Sequence, residues 1–146
     1  MPRRFTLAEA ESFIPRVDIL LREAISLKSE FLEAEHAIQA TAQRVSLMGG
    51  MIVNRDQAID ARDRREAVAV NLRSAIEQME EFGCVVKDLD TGLIDFPTLF
   101  RGVEVYLCWK LGETKIGFWH GVEEGFSGRK AIDGDFLDHH RGDRAH

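Results

Sequence analysis

The sequence predicts an α+β protein. A long antiparallel helical hairpin of coiled-coil or bundle type comes first, and a small antiparallel β subdomain follows. Two observations carry this. Apolar or small residues recur at alternating steps of four and three from Phe13 to Met48, and the period changes to two after Gly83. A third, the Gly49-Gly50 pair, divides the helical half in two.

Thr6-Leu7-Ala8-Glu9 has the capping-box pattern and marks the start of the first helix. Its seam runs through Phe13, Val17, Leu20, Ala24, Leu27, Phe31, Ala34, Ile38, Thr41, Val45 and Met48. That is the repeat of a coiled-coil seam. Ile14, Leu21, Ile25 and Leu32 widen the stripe to the breadth of a bundle helix. Pro15 should kink or restart the helix, because it lacks an amide and clashes with the preceding turn. The second helix is expected from about Asn54 to Phe82, with Ala61, Val68, Leu72, Ala75, Ile76, Met79 and Phe82 inward. A lone hairpin cannot cover so broad a stripe. A homodimer paired through the hairpins is therefore expected.

After Gly83, the runs Cys84–Leu89 and Leu93–Phe96 flank Asp90-Thr91-Gly92, a three-residue hairpin loop. That register sets Lys87 against Asp95 and Val86 against Phe96, and Pro97 ends the hairpin. Val103 to Leu111 alternates, and Gly112-Glu113 suits a two-residue turn into a strand from Thr114 to His120. The expected organisation is one domain over residues 1–132, with the hairpin at 5–82 and the β subdomain at 83–132. The segment 133–146 has few core-forming residues and reads as a flexible tail, its Arg141-Gly142-Asp143 triplet a chance occurrence.

Composition narrows the function classes. With 45% hydrophobic and 30% charged residues, the chain has the balance of a soluble globular domain. A net charge of −6 argues against nucleic acid as a partner. The arginine-rich stretch Arg55 to Glu66 is matched by its own acids and reads as an ion-paired helix. No apolar run reaches the roughly 18 residues of a membrane span, and no signal-peptide core follows Met1. Two cysteines in apolar surroundings read as buried free thiols, so a cytoplasmic location is expected.

The segment GFWHGVEEGFSGR, from Gly117 to Arg129, holds the densest group of chemical side chains. Its glycines permit an anion-accepting loop beside Arg129, and His120, Glu123 and Glu124 offer acid–base groups. The two-residue turn at Gly112-Glu113 would put Cys108 and His120 on opposite faces, which disfavours a Cys–His nucleophilic pair or a shared zinc site. Glu33-x-x-His36, with Glu66 at the same level, has di-iron spacing, but both residues fall outside the inward seam. Asp88-Leu89-Asp90 only weakly matches a calcium loop. Walker A, G-x-S-x-G, H-E-x-x-H and dinucleotide fingerprints are all missing, so no catalytic residues, cofactor or metal are assigned.

The blocks VKDLDTGLIDFP, LCWKLGE and FWHGVEEGFSGR, after FTLAEA and IPRV, resemble the bacterial domain-of-unknown-function family 2203 from Phe5 to about Ile132. The resemblance implies a small bacterial cytoplasmic protein without an established activity, and it supplies no catalytic residues. It directs attention to Asp88, Asp90, Asp95, Cys108, Trp109, Glu113, Trp119, His120 and Arg129. The combined expectation is an oligomeric interaction or small-ligand-binding module with a polar pocket for an anion near His120 and Arg129. The alternatives are a small hydrolase acting on an anionic metabolite through those two residues, and a metal-binding helical bundle.

Overall fold

The structure is a computed structural model that describes residues 3–47 and 55–143. The Gly49-Gly50 turn lies outside the described residues. Two helices, α1 (Leu7–Leu47) and α2 (Arg55–Glu81), precede an antiparallel sheet. Its strands are β1 (Val85–Asp88), β2 (Leu93–Phe100), β3 (Val103–Lys110), β4 (Phe118–Gly121) and β5 (Lys130–Ala131) in spatial order, and β6 (His140–Arg141) also pairs with β2. A short helix α3 (Gly134–His139) precedes β6. The chain divides into two compact units, Met1–Arg22 with Ile76–His146, and Glu23–Ala75. The division therefore falls within both helices.

In the first unit the capping box forms as the sequence predicts. Glu9 accepts the Thr6 amide at 2.9 Å, and the Thr6 hydroxyl accepts the Glu9 amide at 3.1 Å. A third orphan amide, that of Leu7, donates to His140 Nε2 at 3.0 Å. The helix does not restart at Pro15, which sits on an exposed face within α1.

The sheet face that carries Ile94, Phe96, Thr98, Val105, Leu107 and Trp109 is fully buried. Phe96 meets Phe5 edge-on, and Phe5 meets Phe13 of α1. Gly92, at φ +71°, lies so close to Leu111 that a Cβ would come within 2.7 Å of that side chain.

Pro97 does not end a strand; β2 runs through it to Phe100. The reason lies in the edge it faces. Pro97 O accepts the Phe5 amide at 2.7 Å, and a strand residue's N and O point to the same side. On that side β2 meets β1 near Asp95 and β6 near Phe100, so the proline nitrogen leaves no ladder bond unmade. Arg101 and Gly102, both at positive φ, then close a two-residue turn into β3.

The segment expected to be a flexible tail carries α3 and β6. Asp133 caps α3 by accepting the Phe136 amide at 2.9 Å, and Phe136 is 1% exposed. Its ring stacks on Phe100 and packs against Trp119 and His140. These aromatics, in a segment otherwise polar, are what order it.

In the second unit the seam residues from Ala24 to Val45 are all buried or half-buried, while Leu32 is 56% exposed. Val68 and Ala75 of α2 turn inward as expected. Glu35 pairs with Arg65 at 2.9 Å and Glu33 with Arg64 at 3.7 Å, which sets the antiparallel register.

Candidate ligand site in the sheet

Three neighbouring strands bring three different side chains to one face. Asp95 of β2 stands across from Cys108 of β3, which stands across from Phe118 of β4. His120, two residues beyond Phe118, returns to that face opposite Tyr106. Asp95, Cys108 and His120 are each 1–2% exposed, and their polar atoms all lie within 4.8 Å of one another.

Hydrogen-bond accounting defines the protons. His120 Nδ1 lies 2.8 Å from Gly121 O; a carbonyl only accepts, so Nδ1 carries a proton. Nε2 lies 3.0 Å from Asp95 Oδ1, and one proton bridges that contact from whichever side. The pair is neutral overall. Burial pushes the Asp95 carboxyl up, against the hydrogen bond and charge of His120 and the charge of Lys87. Burial raises the Cys108 thiol to about 11, and the nearby Asp95 charge pushes in the same direction. The cluster therefore holds no net charge, as its burial demands.

Both nitrogens of His120 are engaged, so its imidazole offers no free base to the Cys108 sulfur. The thiol stays protonated, and this is not the geometry of an activated cysteine nucleophile.

The expected separation of Cys108 and His120 is overturned by a one-residue shift. Leu107 pairs with Trp119, not Phe118. The link from Leu111 to Gly117 is irregular, and the expected strand at Thr114 begins only at Phe118. Glu113 folds back within it: its carboxylate accepts the Lys110 amide at 2.8 Å and its carbonyl the Trp109 indole at 2.9 Å. Ile116 fills the core at 2% exposed, its amide donating to Glu11 at 3.0 Å. The first hairpin also differs. Val85 pairs with Asp95 and Val86 with Ile94, with an irregularity before Asp88. Asp88 accepts the Asp90 amide at 2.9 Å, which widens the turn.

The remaining candidates are distributed around this centre. One Arg129 guanidinium nitrogen lies 2.9 Å from each Glu113 carboxylate oxygen and 3.5 Å from Cys108 O. The guanidinium also rests 4.1 Å from the Phe118 ring and 4.6 Å from that of Phe126. Its charge is met by Glu113, so Arg129 fastens the loop rather than presenting a free cation. Glu124 accepts the Gly121 amide at 2.7 Å and pairs with Lys130; these contacts hold its carboxyl below the usual range. Glu123 is exposed. Trp119 belongs to the opposite face, against Phe100 and Phe136. Asp88 and Asp90 sit at the β1–β2 turn; Asp88 borders a cleft of about 200 Å³ with Lys110 and Phe126. Glu33, His36 and Glu66 are exposed on the hairpin. Tyr106, whose ring lies 5.5 Å from that of His120, was not among the expected site residues; its place two residues before Cys108 on β3 is the signal for it.

The family model of an uncharacterized conserved protein, DUF2203, matches residues 3–132. The chain belongs to the DUF2203 family. No curated protein and no solved structure matches it. Asp95, Cys108, His120, Glu113 and Arg129 all fall within the DUF2203 match, whereas α3 and β6 lie beyond it.

Proposed function

We propose that this DUF2203 protein is a non-enzymatic, homodimeric binding module whose helical hairpin makes the assembly. The observation that carries this is the small core of the second unit. Among its described residues, the buried apolar side chains are Ala24, Ala34, Val68 and Ala75. Three alanines and one valine bury little area, and a two-helix unit needs more than that to be stable.

The larger seam residues remain half-covered. Ile38, Thr41, Ala42 and Val45 border a shallow cleft with Ala58 and Arg62, and Leu47, Ile59 and Val70 are exposed. A second copy presents the same seam at the same period. Two hairpins packed about a two-fold axis form a four-helix bundle and cover both stripes. The β subdomain then supplies the ligand site, and its engaged His120 and protonated Cys108 favour binding over catalysis.

Light scattering at micromolar concentration tests the assembly. A mass of twice the 16.5 kDa chain is expected, falling to one chain in Ile38→Asp/Val45→Asp. A single-chain mass for the unmodified protein refutes the reading.

A further inference from the structure

We propose that Asp95, Cys108 and His120 bind one divalent transition-metal ion of the zinc class. The inference does not depend on whether the hairpins pair, because all three residues lie in the first unit.

The donors set the class of ion. A thiol sulfur, an imidazole nitrogen and a carboxylate oxygen form a mixed set that suits zinc or cobalt and disfavours calcium and magnesium, which take oxygen. Metal–ligand bonds of about 2.0–2.3 Å at tetrahedral angles place ligand atoms roughly 3.3–3.6 Å apart. Asp95 Oδ1 and His120 Nε2 are already 3.0 Å apart, and the whole set falls within 4.8 Å. Side-chain rotations of about an ångström close the difference. Three protein ligands leave one tetrahedral position for water or an incoming group.

The surroundings of His120 are those of a ligand. Metal-binding histidines commonly donate their other ring N–H to a carbonyl or carboxylate, which fixes the ring and aims the free lone pair. His120 Nδ1–H does this to Gly121 O, leaving Nε2 facing Asp95. The strands add rigidity: the three side chains come from the ladder of β2, β3 and β4 and not from a loop.

Charge balance fits a divalent ion. As ligands, Asp95 binds as carboxylate, Cys108 as thiolate and His120 as neutral imidazole, the ion displacing the thiol proton and the proton shared by Asp95 and His120. Two anionic ligands and a divalent cation leave the buried site with no net charge.

The test uses the full chain, stripped with chelator and titrated with cobalt(II), then zinc(II). One cobalt per chain is expected, with a near-ultraviolet thiolate-to-cobalt charge-transfer band that zinc abolishes. Cys108→Ser should lose the band and bind more than about 100-fold more weakly, beyond the roughly 10–100-fold of changes in outer partners. The chain has two cysteines, so the Cys84→Ser variant decides even if Cys108→Ser does not fold. A band in Cys84→Ser can come only from Cys108 and supports the proposal; a missing band in that variant overturns it. A band that survives in folded Cys108→Ser also overturns it.

Discussion

His120 Nε2 lies 3.0 Å from Asp95 Oδ1, inside a sheet where each side chain is 2% exposed. Such a pair is stable only as a unit, because each partner removes the desolvation cost of the other. His120→Phe should therefore strand Asp95 and lower stability by about 3–5 kcal/mol. The double variant Asp95→Leu/His120→Phe should lose less than the two single changes added together. Urea unfolding followed by circular dichroism measures the cycle; strict additivity would show that the two side chains are not coupled.

Cys84 gives a prediction at high pH. Burial raises its thiol from 9.0 to about 12, and its S–H points to Met79 O at 3.1 Å. The folded state thus keeps a proton that the unfolded state loses. Its contribution is full below pH 9 and is lost as pH rises towards 12. Cys84→Ala should flatten that part of the alkaline stability profile, and an unchanged slope would count against a buried thiol.

Gly142 tests the ordered C-terminal segment. A Cβ there would come 2.9 Å from Arg4 O, from the Thr6 nitrogen and from Glu9 Oε1, the atoms of the α1 cap. Gly142→Ala should cost about 1–3 kcal/mol by overpacking. Leu137→Ala, at a side chain 47% exposed, should change stability by no more than about 0.5 kcal/mol. Thermal unfolding compares them; equal effects would mean that the segment does not dock.

Arg129 should resist conservative exchange. Its guanidinium joins Glu113 and lies against Phe118 and Phe126, and its side chain is 11% exposed. Arg129→Lys keeps the charge but loses the planar stacking, with an expected cost of about 1.5–3 kcal/mol. Glu113 also receives the Trp109 indole at its carbonyl, so tryptophan fluorescence should shift as well. Lysine that preserved both stability and emission would contradict the clamp.

The helices were legible because a helix reports its burial every three or four residues; Thr6, Glu9 and the seam to Val45 behave as their spacing predicts. The sheet was legible in its strands but not in its register. Register depends on loops, and here Glu113 and Asp88 reshape two of them through side-chain bonds that spacing does not reveal. One residue of shift moves His120 from the opposite face to the face of Cys108. Asp95, Cys108 and His120 were each visible as candidates, but their meeting was not. Pro97 misled for a related reason: its tolerance in β2 depends on Phe5, distant in sequence. The C-terminal segment is placed by Phe136 together with the contacts of Asp133, His140 and Gly142, single residues that composition averages away.

In the proposed division of roles, assembly belongs to the hairpin and ligand binding to the sheet. Native mass spectrometry of the full chain with zinc tests both in one spectrum. Two chains with two zinc ions are expected, and one chain with one zinc ion in Ile38→Asp/Val45→Asp. A single zinc-free chain for the unmodified protein, or zinc lost together with the partner in the variant, would contradict it.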